Sequence, residues 1–469
     1  MITKIPINQG VFKAQNPESL ENNGFAEKLI NFFIDQVGNN YDRPRLKSST
    51  ALTSPDIIGT YWFNGLWIFV TQDRKVWSYN KSGNILTDIT GTLLAGDARP
   101  VFETDGTTLF IIGGDVPLKW TGTGVTQALG GSPPKGTHLI YLDGYLITNK
   151  RDPVEKNKTI HFADFELPES WFGLNVFSAV ADSDEVQGVT SSFRELYVVG
   201  EKTTEIWQNV GSDPVPFARA HVWSYGTPAK YSIHSTENSV FFLDQTRRII
   251  QISGREIVRL SEGIEEDLDT YSVIEDCWAS SFIWNGSTHV VFVFPTEEKT
   301  WSIDLRNKQW TEWNGYDNDY ARARVNSMYW CFKESTGLVG DFGTGNVWEL
   351  SENENTDAGG VFKRLRRFSE WNGGASLQKN TRLMRIKMRR DISKLPVGTE
   401  PILEVRWKDD GKDWSEFRQI PLGEIGEKRK YIEIYRLGIY RTRQYELQFS
   451  DPAILNITGV EVDEEVMTE

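Results

Sequence analysis

An apolar strand, a polar turn and a second strand carrying an aromatic or large apolar residue recur along much of this chain. The clearest copies are GLWIFVTQDRKVWSY, TTLFIIGGDVPLKW, RELYVVGEKTTEIWQ, NSVFFLDQTRRIIQIS and STHVVFVFPTEEKTWSID, with a looser one in MYWCFKESTGLVGDFGTGNVWEL. Anchoring each copy on its second strand picks out Trp77, Trp120, Trp207, Gln251, Trp301 and Trp348, and the weaker copy GYLITNKRDPVEKNKTIHFADF places Phe162 in the one long gap. The intervals are then 43, 42, 45, 44, 50 and 47 residues. A period of about 45 residues is that of a four-stranded propeller blade, and radial repetition disposes of the exposed sheet edges that a long β-chain otherwise carries. The spacing predicts an all-β chain with a β-propeller over residues 46–360, of about seven blades, or six if the weak third copy is an insertion. The anchors are expected in equivalent places of successive blades.

Composition agrees with short strands and tight turns: 12% of the 469 residues are aromatic, with 17 Trp and 40 Gly. Two strand patterns then divide the chain. His289 to Phe294 is nearly continuously apolar, as for a strand buried on both faces, whereas RQYELQF (443–449) alternates and has one wet face. Between them SENENTDAGG (351–360) is polar, acidic and Gly-ended, and reads as a linker. The strands LMRIKMR, PILEVRW, YIEIYRL and QYELQF beyond it predict a C-terminal antiparallel β-sandwich over 361–469. Residues 1–45 read as an N-terminal arm that closes the ring or reaches onto a neighbour, with FAEKLINFFIDQVG forming a short helix or a strand.

The start of the chain lacks the apolar core of a signal peptide and no apolar run approaches a bilayer span, so a protein made in the cytoplasm, with no membrane association, is expected. Residues 1–360 hold 30 Lys+Arg against 47 Asp+Glu, net −17, while residues 361–469 hold 21 against 18, net +3. An acidic body repels phosphate, so nucleic-acid binding through a basic face is disfavoured, and a surface that DNA passes through or near without specific binding would carry such a charge.

No sequence cluster demands catalysis or a cofactor. Cys277 and Cys331 form no C-x-x-C pair, and His138, His161, His221, His234 and His289 are scattered without ligand spacing, so neither a metal nor a cofactor is expected. In SEGIEEDLDTYS the acids Glu262, Glu265, Glu266, Asp267 and Asp269 suit either paired-carboxylate chemistry or the first turn of a short helix capped by Ser261, with Ile264 and Leu268 inward; the helix is favoured. Asp409, Gly411 and Trp414 have the D-x-G-x-x-W spacing of the Asp-box turn of glycan-handling propellers. It occurs once and outside the propeller, so a structural hairpin is expected, with Asp409 accepting backbone amides, Gly411 at positive φ and Trp414 covering the turn. The basic cluster Lys363, Arg364, Arg366 and Arg367, with Arg385, Arg389 and Arg390 further on, is the candidate interaction surface. It suits an acidic partner protein, DNA phosphates or plain solvation.

The run from Leu260 through Ser261, Ile264, Glu265, Leu268, Tyr271 and Asp276 into THVVFVFPTEEKTWSIDLRNKQWTEW resembles the packaged-DNA stabilisation, or tail accessory, proteins of short-tailed bacteriophages. The family's blade of the form F-P-x4-T-W-x-x-D, followed by a Trp-rich strand, is matched by Phe294, Pro295, Thr300, Trp301, Asp304 and Trp310. The end of the chain, LEVRWKDDGKDWSEFRQIPLGEIGE to ITGVEVD, is similar to that family's C-terminal β-domain. The resemblance covers about residues 255–463. It implies a structural tail hub in the virion, six copies strong, bound below the portal and head–tail adaptor ring, retaining packaged DNA and docking a needle or plug and tail fibre or tailspike proteins. Two other classes remain open on the residues alone: a glycan-binding or glycan-hydrolysing propeller of depolymerase or sialidase type, marked by a Trp-lined cleft with two close carboxylates, and a cellular propeller serving as a protein-interaction platform.

Overall fold

Each polar turn of the repeat closes an antiparallel hairpin, and four consecutive strands complete a blade. The computed structural model describes residues 2–13, 25–151, 157–179, 181–182, 184–315, 322–372, 378–391, 400–423 and 429–467. Blades 1 to 6 span residues 57–88, 101–128, 139–178, 186–223, 234–259 and 278–312, each with its strands in sequential order. Blade 7 takes three strands from 327–351 and its outermost strand, Arg45–Ala51, from the other end of the chain. This pairing ties the ring shut, and Tyr61 of blade 1 packs on Tyr329 of blade 7 at 4.6 Å between ring centroids.

The second strand of a blade is enclosed on both faces by its neighbours, hence the continuous apolar runs. Leu109–Ile112, Ser239–Leu243 and Ser287–Phe294 are buried throughout. All seven anchors fall in the third strand of their blades. Their heights differ. Trp207 faces Leu196, the residue after the one that closes the inner hairpin of blade 4, whereas Trp301 faces Phe292, well up the longer hairpin that begins at Ser287. The repeat therefore conserves the strand and not the register, because turns of unequal length absorb the difference. In blade 6 the indole Nε1 of Trp301 donates to the Tyr271 hydroxyl at 2.8 Å, and that of Trp310 donates to the Leu260 carbonyl at 2.7 Å. The residues that carried the family resemblance thus bind the outer strands of blade 6 to the segment preceding it.

Blade 6 does not end at its fourth strand. Ala26–Ile30 joins it, parallel at Ile30 and Glu312, and the sheet runs on through Arg364–Phe368, Arg443–Phe449, Ile402–Asp409 and Arg418–Pro421 to nine strands. A second sheet, in the order Phe32–Ile34, Asn40–Asp42, Ile454–Val466, Lys379–Asp391, Arg429–Tyr440, covers its far half, with Ile2–Ile5 paired to Ile454–Val466. Met384, Ile386, Val405, Ile432, Leu447 and Val460 fill the space between them, completing the sandwich. FAEKLINFFIDQVG forms strands, and its two strands belong to different sheets. Asn31 makes the switch at φ 58°, a conformation that Asn tolerates better than most residues. Its Nδ2 donates to the carbonyls of Asn314 (3.0 Å) and Lys363 (2.8 Å), while Oδ1 accepts from Arg43 Nε at 2.6 Å. One side chain thus joins the end of blade 6, the strand that leads into the sandwich and the N-terminal segment.

Candidate interaction surfaces

The basic cluster does not lie together on the surface. Arg364 and Arg366 are fully buried, which corrects the expectation that they present charge to a partner. The Arg364 guanidinium donates to Asp42 Oδ2 (3.1 Å), the Ala453 carbonyl (2.6 Å) and the Asp451 carbonyl (2.6 Å), and its Cζ lies 4.2 Å from the Phe449 ring centroid. Arg366 donates to Asn40 Oδ1 at 2.6 Å and to the Gln9 carbonyl at 3.2 Å. Burial pushes the two down to about 10 and about 9. The N-terminal segment, through Gln9, Asn40 and Asp42, covers the face that Arg364 and Arg366 occupy.

Arg367 is half-buried, with Nε donating to Glu446 at 2.7 Å and Cζ 5.0 Å from the Trp414 ring centroid; Lys363 is also half-buried. What remains outward lies on Lys379–Asp391. Arg385 pairs with Glu433 at 2.7 Å, Lys387 pairs with Glu461, and Arg389 is exposed; the side chain of Arg390 lies outside the described residues. Tyr431 and Tyr435 stand exposed beside them on the neighbouring edge strand.

The Asp-Gly turn is a hairpin with one change of cast. Gly411 has φ 71°. The carboxylate that accepts backbone amides is that of Asp410, from Arg441 N (2.8 Å) and Thr442 N (2.9 Å), which helps to hold it below the usual carboxylate range despite partial burial. Asp409 instead grips the buried Arg443 through both oxygens, at 2.5 and 2.9 Å. Trp414 covers Arg406 and Arg367, at 4.8 and 5.0 Å from its ring centroid. The acidic run forms a 3-10 turn, Ser261–Gly263, and a helix, Glu265–Thr270, with Ile264 and Leu268 buried. The N-cap is Ile264 rather than Ser261, whose hydroxyl donates to Glu265 at 2.9 Å. Three of the five acids form ion pairs, Asp267 with Lys13 and Asp269 with Arg248, both at 2.6 Å, and Glu265 with Arg259, while Glu262 and Glu266 are exposed.

The inner strands of all seven blades line a central cavity of about 420 Å³. Among its described lining residues Glu103 is the one carboxylate, and burial raises it to about 7. His138 and His234 are pushed down to about 4 by the same cause. A second cavity of about 440 Å³ opens at one end, where connections between strands bring Arg74, Arg99 and Arg322 together, and Ile58 and Arg99 line both. These arginines were not singled out from the sequence. The available signal was their place in the repeat: Arg99 and Arg322 precede inner strands, and Arg74 sits in the turn before a third strand. A further surface was also missed. The loop after the third strand of blade 3 exposes Phe165, Leu167, Phe172 and Leu174.

A model of the phage stabilisation family, described as bacteriophage P22 Gp10, beta-propeller, matches residues 70–355, more than half of the chain. It overlaps the resemblance read from residues 255–463 and extends it upstream through the earlier blades. No curated protein matches the sequence. Among solved structures, the extracellular domain of the one-component system BT4673 from B. thetaiotaomicron is similar at 10% identity and a TM-score of 0.46, covering 91% of this chain. The match spans 62% of that protein's length. U3-55K is similar at 10% identity and a TM-score of 0.42, over 66% of this chain and 98% of the other.

Proposed function

The chain belongs to the phage stabilisation family of bacteriophage P22 Gp10, and from that premise we propose that it is a structural protein of a short-tailed phage virion, acting as a tail hub and not as an enzyme. In this reading six copies attach below the portal and head–tail adaptor ring, help to retain packaged DNA, and dock a needle or plug and a tail fibre or tailspike. The family match across the propeller carries the reading.

Two features of the molecule support it. The propeller is sealed by its own N-terminal side and shares a nine-stranded sheet with the sandwich, so load on one part passes to the other through backbone hydrogen bonds. The sandwich also presents an edge strand, Arg429–Tyr440, next to the outward ladder of Arg385, Lys387 and Glu433, where rim charges would set orientation and salt sensitivity. The ring supplies the symmetry, and contacts of standard size, about 1,600 Å² per pair, suffice when repeated around it.

The test is to mix the purified chain with portal and adaptor rings and count copies by electron microscopy or mass photometry. Six copies per ring, with the free chain monomeric, is the expected result. Failure to bind either ring, together with hydrolysis of a host polysaccharide, would sink the reading in favour of a glycan-active propeller. The described channel offers that alternative a single carboxylate, Glu103, beside the Tyr61–Tyr329 pair, where glycoside hydrolysis ordinarily uses two.

A further inference from the structure

The mouth of the propeller channel inverts the charge of the body around it. Residues 1–360 carry net −17, yet three guanidinium groups converge on the cavity at one end. Arg74 Nη1 donates to the Ala98 carbonyl at 2.6 Å. Arg99 donates to the Asn326 carbonyl, with Cζ 4.6 Å from the Trp278 ring centroid. Arg322 reaches the side-chain oxygen of the same Asn326 at 3.4 Å, and its Cζ lies 4.3 Å from the Phe342 ring centroid. Two like charges are thus drawn to one residue and held flat by aromatic faces.

None of the three has an ion-pair partner among the described residues. Of the acids nearby, Asp97 pairs with Arg151 at 2.7 Å and Asp341 with Arg324 at 2.9 Å, while Asp276 accepts the Thr296 amide at 2.8 Å through Oδ2 and favours the charge of Arg322 without forming an ion pair with it. Among the described residues that line this cavity, Asp56 and Asp97 stand against Arg74, Arg99 and Arg322, net +1. Burial lowers all three arginines, and for Arg99 the second cause is the charge of Arg322. Donors without an acceptor add to the case. Arg322 Nε, the Tyr231 hydroxyl and Trp278 Nε1 are buried with no hydrogen-bond partner among the described residues, and Tyr231 and Trp278 line the central cavity that Arg99 joins to the mouth. Half-buried cations without ion pairs, and orphan donors in the adjoining space, are costly unless an acceptor with several lone pairs enters.

We infer that the channel mouth binds a phosphate group, held by Arg74, Arg99 and Arg322. A tetrahedral oxyanion offers acceptors on every side, which suits three planar forks approaching from different blades. The site is separate from the ring-binding reading above and does not depend on it.

The test uses the full chain titrated with inorganic phosphate at constant ionic strength, followed by calorimetry and thermal unfolding, with sulfate and acetate as comparison anions. Saturable binding and a rise in Tm with phosphate are expected, with acetate much weaker. Arg322→Gln should weaken phosphate at least about tenfold, the loss of one charge-assisted contact, and Arg322→Lys should fall between. Without phosphate, Arg322→Gln should unfold at the same or a higher temperature, because it removes a repelled charge; a merely structural arginine would lower it. Arg74→Gln repeats the binding test on another blade should the first variant not fold, and Arg382→Gln, on the sandwich, should bind as the parent does. Absence of saturable phosphate binding, equal response to acetate, or parental affinity in both Arg322→Gln and Arg74→Gln would overturn the inference.

Discussion

Blade 2 and the junction between blade 6 and the sandwich are both antiparallel sheet, yet they are filled with different material. Blade 2 is filled by Leu109, Phe110, Ile111, Ile112, Leu118 and Trp120, and its one deeply set ionisable group, Glu103, lines the channel and not the space between blades. The arginines that are buried among the described residues are Arg43, Arg364, Arg366 and Arg443, in the junction and the sandwich, and Arg45, where the strand that closes blade 7 leaves the junction. Each of blades 1 to 6 begins as one stretch of chain folded on itself, so the middle strands find ladder partners on both sides in the adjacent strands. At the junction, segments from both ends of the sequence meet, and strand ends leave carbonyls with no ladder to join. The guanidiniums answer them. Arg43 donates to the Pro44 and Asn314 carbonyls, Arg45 to those of Glu354 and Ala453, Arg364 to those of Ala453 and Asp451, and Arg443 to that of Leu437. Local repeats can be sealed by apolar pattern alone, whereas a meeting of distant segments needs directional donors.

The sharpest way to break this contrast is at Asp42, whose Oδ2 compensates Arg45 and Arg364 and accepts the Leu455 amide at 3.1 Å. Asp42→Ala strands two buried cations and should cost about 3–5 kcal/mol in urea unfolding. A loss under about 1 kcal/mol would mean that charge does not hold the junction.

The matching cut in a blade is Leu196→Ala, at a fully buried position in blade 4. It should cost about 3 kcal/mol through a cavity and not through charge, so its cost should not change with salt.

Glu103 gives the ring a pH signature that the junction lacks. Its carboxyl is raised to about 7 by burial, so the protonated acid is favoured in the fold. That contribution is complete below the unfolded value near 4.5 and is lost as pH climbs through about 7. Glu103→Gln should therefore flatten the fall in stability between pH 5 and 8 and raise stability at pH 8 by about 2 kcal/mol. An unchanged slope would remove Glu103 from the account.

Gly411→Ala tests the hairpin turn in the sandwich. A Cβ there meets nothing within 4 Å, so only the φ of 71° opposes it and the cost should be about 1 kcal/mol. The smallest effect is expected at Arg385→Ala, on the wet face of the sandwich. The unfolding midpoint should not move, while attachment to the portal or adaptor ring weakens if that face docks.

The hairpins of the repeat were legible because a strand enclosed by neighbouring blades must be apolar along its length, and STHVVFVF or LWIFVT says so directly. The sandwich strands were legible for the opposite reason, their alternation. Reading Arg364 and Arg366 as surface charges followed the same local logic and failed, since the groups that meet them include Gln9, Asn40 and Asp42, more than 300 positions away in sequence. In KDDGKDWSEF the turn and its glycine were legible; which of two adjacent aspartates meets the backbone and which meets Arg443 was not.

The sequence by itself determined the architecture: a period of about 45 residues, a strand pattern that changes after residue 360, and an acidic body, because periodicity and burial on a blade are local properties of a few dozen residues. Only the tertiary structure decided what closes the ring, which arginines are interior, and where Arg74, Arg99 and Arg322 converge. Those are properties of segments far apart in the chain brought within hydrogen-bonding range, and a single charged residue looks the same in a sequence whether water or a carbonyl will face it.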